Sequence, residues 1–112
     1  MPLPTRMTLH KILTELTKNS RVYFQPPENI SLVYPCIVYE RSNIRLQYAD
    51  DACYHKTDVY SVTYITKDPD DPVPDKLLSI RGAAYDRHYT SNNLHHTVVN
   101  ISIDRSDINA QD

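Results

Sequence analysis

The chain has a single glycine, Gly82, in 112 residues, no tryptophan, one phenylalanine and two cysteines. A phosphate cradle needs glycines so that backbone can approach the anion, so one glycine argues against a P-loop or a dinucleotide-binding turn. Cys36 and Cys53 are not in a CxxC pair and have no histidine cluster beside them. That pattern excludes a zinc knuckle, and the two are expected to be reduced, partly buried thiols, with a bridge between them the less favoured alternative. No apolar run approaches the roughly 18 residues needed to span a bilayer, and the N-terminus lacks the apolar segment of a signal peptide. The chain is therefore expected to be made and kept in the cytosol, with no membrane partner. Charge of one sign is also lacking. Twelve basic and fourteen acidic side chains leave a net charge of −2, without the footprint of a nucleic-acid binder.

What is present in quantity is tyrosine, nine residues of it, a side chain suited both to strands and to half-exposed protein interfaces. The longest β-like run, Asp58 to Lys67, places Tyr60, Val62 and Tyr64 on one face and Val59, Ser61, Thr63 and Ile65 on the other. A second run ending at Asp104 places Thr97, Val99, Ile101 and Ile103 together, against Val98, Asn100 and Ser102. Alternation of this kind predicts a sheet covered by helices on one face and partly wet on the other. Tyr60, Val62, Tyr64, Val99, Ile101 and Ile103 are the candidate core-strand residues.

In chain order, residues 1–7 carry two prolines and read as an irregular arm. Leu9, Ile12, Leu13 and Leu16 then follow the i, i+3, i+4, i+7 spacing of an amphipathic helix, with Thr8 suited to cap its start and Asn19 to end it. A helix this short needs packing to persist, so these four residues are expected to lie on the sheet. Short strands are predicted at Arg21–Phe24 and Tyr34–Glu40. After the central strand, Asp68-Pro-Asp-Asp-Pro-Val-Pro74 leads into a short helix with Leu77, Leu78 and Ile80 on its buried side, and Gly82 reads as that helix's C-cap. A strand from Ala83 to Thr90, with Tyr85, Arg87 and Tyr89 on one side, a turn at Ser91-Asn-Asn93, and a strand from Leu94 to Asp104 complete the core; residues 105–112 read as a loose tail. The expected fold is one α+β domain spanning 1–112: a mainly antiparallel sheet of four to five strands with two helices, in the order α-β-β-β-α-β-β.

The irregular feature is the stretch from Arg41 to Thr57 between two predicted strands, far longer than a usual hairpin connection. It has no Gly or Pro and holds Ile44, Leu46, Tyr48 and Tyr54. The preferred reading is a pair of projecting strand ends with a surface-binding tip, making Ile44, Leu46, Tyr48, Asp50 and Tyr54 candidate interface residues. The alternative is an Ω-loop packed on its own domain.

Catalytic signals are sparse. Asp86, His88 and His96 are candidates for a base and its orienter on adjacent strands, the minimum of a small hydrolase or nuclease. His95 and His96, as neighbours on a strand, point to opposite faces and do not share a metal. The aspartate pairs at 50–51 and 70–71 lie in predicted loops, where carboxylates are ordinarily solvated. Arg41, Arg45, Arg81, Arg87, Tyr48 and Tyr54 offer a basic-aromatic set for an alternative role in nucleic-acid binding. No catalytic residue, metal ligand or cofactor is assigned.

Taken in order, Leu32-Val-Tyr-Pro-Cys-Ile-Val-Tyr-Glu40, Tyr48-Ala-Asp50, Tyr54, the strand from Tyr60 to Ile65, Asp68-Pro-Asp70, Leu77, Asp86-Arg-His-Tyr89 and Asn93-Leu-His-His96 resemble the small tail-terminator (tail-completion, tail-to-head joining) proteins of long-tailed bacteriophages. The likeness runs over roughly residues 9 to 103, and the order of the motifs carries it. It implies a virion protein of the tail or neck, made in the host cytoplasm, that closes the tail tube as a ring, typically a hexamer. The implied partners are further copies of itself, the tail tube protein and the head-completion or connector protein. DNA would pass through the ring without specific binding, which suits a slightly acidic chain. The resemblance implies no enzymatic activity.

Overall fold

A computed structural model describes residues 5–18, 21–25, 32–49 and 52–104, and of residues 5, 49 and 52–55 the backbone alone. Its elements follow the order α1 (Thr5–Thr17), β1 (Val22–Phe24), β2 (Cys36–Ala49), β3 (Ala52–Thr66), α2 (Val73–Leu78), β4 (Ala83–Ser91) and β5 (Leu94–Asp104). The five strands form one sheet in the order β1-β2-β3-β5-β4. All pairs are antiparallel except β1 with β2, where Val22, Tyr23 and Phe24 run parallel to Ile37, Val38 and Tyr39.

Helix α1 starts at Thr5, so residues 5–7 are not part of an irregular arm, and Thr8 sits inside the helix instead of capping it. Nothing in Thr5-Arg-Met-Thr8 breaks a helix, and tertiary contacts hold this first turn: the Arg6 guanidinium lies 5.0 Å over the Phe24 ring. His10 Nδ1 is hydrogen-bonded to the Tyr39 hydroxyl at 2.8 Å. The helix stops where Lys18 turns left-handed (φ 60°), its N–H still reaching the Thr14 carbonyl. Asn19, the expected stop, lies outside the described residues, as do residues 1–4 and 105–112.

Leu9, Leu13 and Leu77 from the helices meet Ile37, Tyr39, Tyr60, Val62, Tyr64, Val99 and Ile101 from the sheet in one core, with Leu16, Ile80 and Ile103 packed at its margin. Each fully buried aliphatic or aromatic side chain contributes on the order of 1.5–3 kcal/mol before ordering entropy is counted. Ile12 is half-buried and lines a shallow groove with Leu16, Lys76 and Ser79 between the two helices. Leu78, expected on the buried side of α2, is 40% exposed.

The face away from the helices is not bare. Cys36 and Ile65 are opposite each other, as are Thr63 and Val98, and Cys36, Ile65 and Val98 are all buried. Beside them the Tyr89 ring stacks on His96 at 4.5 Å and 11°, with Arg87 5.9 Å from the Tyr89 ring centre. Because Cys36 faces Ile65 while Cys53 lies twelve residues back along β3, the two cysteines are about 40 Å apart at 3.3 Å per residue. A bridge needs Cα atoms within about 7 Å, so none joins them within one chain. Cys36 is a free thiol.

Gly82 does have a left-handed backbone (φ 87°), yet it does not cap α2, which ends at Leu78 with Ser79 in right-handed geometry. It instead lies in the turn just before β4, where a Cβ would lie 2.4 Å from the Ser102 carbonyl oxygen and where its own carbonyl accepts the Ser102 N–H. Asn92 and Asn93, both at positive φ (52° and 63°), form the two-residue turn between β4 and β5, the geometry that matches strand twist in a tight hairpin.

A candidate interaction arm

Residues 41–57 are not a loop. Strands β2 and β3 run straight through this stretch as a paired ladder, from Arg41 opposite Tyr60 to Ala49 opposite Ala52. Among the described residues, strand β5 accompanies β3 as far as Thr57, opposite Asp104, and beyond that point the hairpin continues as a two-stranded arm.

Two bulges shape the arm. Ser42 is an extra residue of β2, since Arg41 pairs with Tyr60 and Asn43 with Val59; its Oγ donates to the Val59 carbonyl. The extra residue changes which numbers share a face. Ile37, Tyr39 and Arg41 are odd-numbered and face the helix side. After the bulge the even-numbered Ile44, Leu46 and Tyr48 take that side, opposite Asp58, Lys56 and Cys53. The apolar side of the sheet thus continues into the arm after the helices that cover it have ended. There Ile44 is 40%, Leu46 45% and Tyr48 62% exposed. The second bulge places Tyr54 as the extra residue of β3, between His55 opposite Gln47 and Cys53 opposite Tyr48.

At the base of the arm, Arg41 spans the Tyr60 ring at 5.5 Å and donates to its hydroxyl at 3.1 Å. Arg45, on the other face, donates to the Ser102 hydroxyl. These contacts fix where the arm leaves the sheet. Of the expected interface residues, Ile44, Leu46 and Tyr48 form one stripe. Asp50 lies outside the described residues, and of Tyr54 only the backbone is described.

The other candidate constellations are dispersed. His88 is on the helix side of β4, with Nδ1 3.3 Å from Thr97 Oγ1 and its ring stacked on His95 at 5.8 Å. His96 is on the opposite face against Tyr89, and Asp86 pairs with Arg87 at 3.6 Å. Asp86, His88 and His96 therefore do not form a base and its orienter. Among the described residues no group of three or more His, Cys, Asp or Glu is placed to hold a metal ion. The arginines proposed as a patch divide between faces: Arg41 on the helix side, Arg45 and Arg87 on the other. Asp71 of the 70–71 pair is internally committed. Its Oδ2 accepts from the Tyr64 and Thr66 hydroxyls at 2.7 and 3.1 Å, and Oδ1 accepts the Val73 N–H at 2.9 Å.

One surface was not foreseen. Leu78 and Tyr85, both exposed, line a cleft of about 560 Å³ with Asp70, Asp71, Asp75 and His88 between α2 and β4. Tyr85 reaches it because Asp86 is an extra residue of β4. Tyr85 pairs with Val99 on the helix side, whereas Arg87 pairs with Val98 and Tyr89 with His96 on the other. The expected grouping of Tyr85 with Arg87 and Tyr89 does not hold, since unbroken alternation is what placed them together.

No family model and no curated protein matches the chain.

Proposed function

We propose that this chain is a structural virion protein of long-tailed phages that caps the tail tube as a ring of six copies, ends tube growth and forms the joining surface to the head connector. The observation that supports the reading is the arm: a two-stranded extension of the sheet that carries Ile44, Leu46 and Tyr48 into solvent on one side. Monomeric proteins seldom expose aligned apolar side chains on a projecting element without a partner to cover them. Sheet proteins that associate head to tail need two unlike surfaces per copy, and this chain has an arm at one end and short or bulged edge strands, β1 and β4, at its sides. The net charge of −2 also suits a ring through which DNA passes without being held.

Electron micrographs of a lysate made without this gene test the reading. The expected particles have tubes of irregular, excessive length and heads that fail to join. Normal-length tails attached to heads would exclude the assignment.

A further inference from the structure

We propose that the arm of one copy docks in the α2–β4 cleft of a second copy, through Leu46 and Tyr48 against Leu78 and Tyr85 and Lys56 against Asp70 and Asp75. Of the eight large hydrophobic residues exposed among those described, five are on these two surfaces: Ile44, Leu46 and Tyr48 on the arm, Leu78 and Tyr85 at the cleft. The other three, Met7, Val33 and Tyr89, are elsewhere on the chain.

Charge supports the same pairing. Lys56 lies directly opposite Leu46 on the arm's apolar side, and both are exposed. The cleft presents the exposed Asp70 and Asp75, while Asp71 is occupied by Tyr64 and Thr66. A lysine beside an apolar stripe and carboxylates beside an apolar cleft are complementary surfaces.

The chain's own arm cannot fill its own cleft. Lys56 marks the level of Leu46 on β3, and Thr66, whose hydroxyl donates to Asp71, marks the level of the cleft. Ten residues of one continuous strand separate them, roughly 33 Å at 3.3 Å per residue. A strand inside a sheet does not fold back over that distance, so the occupant is another copy. Because arm and cleft are different surfaces, a head-to-tail contact leaves each copy a further arm or cleft to offer, and it closes into a ring where the rotation between copies permits. Closure around a tail tube rests on the proposed function; the contact itself does not.

A charge-swap experiment on the full chain tests it. Sedimentation velocity from micromolar to millimolar protein is expected to show wild-type association. Lys56→Glu alone, or Asp70→Lys with Asp75→Lys, is expected to weaken association at least about tenfold. An equimolar mixture of the two variants is expected to recover it, since each arm then meets a cleft of opposite charge. Thermal unfolding confirms that each variant is folded, and Leu46→Ser with Tyr48→Ser serves as a second disruption that leaves charge unchanged. The contact is overturned if the wild type remains monomeric over the whole range, if the variants associate as the wild type does, or if the mixture recovers nothing. Head-to-tail association in a chain whose deletion leaves normal tails would retain the contact and remove the tail assignment. Aberrant tails combined with unaffected variants would do the reverse.

Discussion

The Tyr64 hydroxyl donates to Asp71 Oδ2 at 2.7 Å, tying the central strand to the turn that starts α2. Tyr64 is nearly fully buried, so without Asp71 its hydroxyl would lose its acceptor, and the Thr66 hydroxyl and Val73 N–H would lose theirs. Asp71→Ala is expected to cost about 2–3 kcal/mol in urea unfolding. The double variant Asp71→Ala with Tyr64→Phe should cost in total less than the sum of the two single changes, because the phenylalanine leaves no donor to satisfy. Full additivity would show that the bond contributes nothing.

Stability should fall in mild alkali. Burial pushes the Cys36 thiol from 9.0 up to about 11, with the Arg21 charge opposing the shift. Burial first, and the Asp71 carboxylate second, raise Tyr64 as well. Above about pH 9 the unfolded thiol has released its proton while the folded one retains it. The unfolded state then binds fewer protons, and the free energy of unfolding declines as pH rises towards 11. Cys36 alone should account for roughly 2 kcal/mol between about pH 8 and about pH 10.5. Urea midpoints across this range should fall less steeply for Cys36→Ala than for the wild type; parallel curves would rule out the thiol as the cause.

Gly82→Ala should be strongly destabilising. The residue is at φ 87° and the added methyl would meet the backbone oxygen of Ser102 at 2.4 Å, an atom held in β5 that has little room to yield. A loss of about 2 kcal/mol or more is expected from strain and displacement together, read as the shift in urea midpoint.

The reverse holds on the arm. Leu46→Ser with Tyr48→Ser should leave the monomer's unfolding free energy within about 1 kcal/mol of wild type, since both side chains are at least 45% exposed. A collapse of monomer stability would mean that the stripe packs on its own domain.

In the turn, Asn93 holds φ 63° at the second position of a two-residue hairpin. Glycine is favoured there, so Asn93→Gly should stabilise the chain by about 0.5 kcal/mol in the same assay.

Layer and order were legible because burial has a period. Leu9 and Leu13 fall on the helix stripe, and Tyr60, Val62, Tyr64, Val99 and Ile101 on alternating strand positions, and all seven are buried. What escaped the sequence were features with no period. Ser42 and Asp86 are extra residues that shift the alternation by one, and neither residue type announces a bulge. Without Ser42 placed as a bulge, β2 reads as ending at Glu40, so the projecting strand ends expected over 41–57 are not joined to it as one continuous ladder. Without Asp86 so placed, Tyr85 goes to the wrong face and the cleft is invisible. The parallel pairing of β1 has a similar cause: three residues, Val22 to Phe24, carry no information about direction.

The strand order also predicts a sequence of events during folding. Strands β2 and β3 are neighbours in the chain, as are β4 and β5 on either side of Asn92-Asn93, so each pair can zip from its near ends on a microsecond scale. Joining them requires Val62 to find Val99, thirty-seven residues away in the chain. That encounter carries the loop-closure entropy of α2 and its flanking turns, and it is where the barrier should lie. Trimming Val62 should therefore slow refolding, whereas changes at Leu46 or Tyr48, far out on a hairpin that forms early by itself, should leave the refolding rate unchanged.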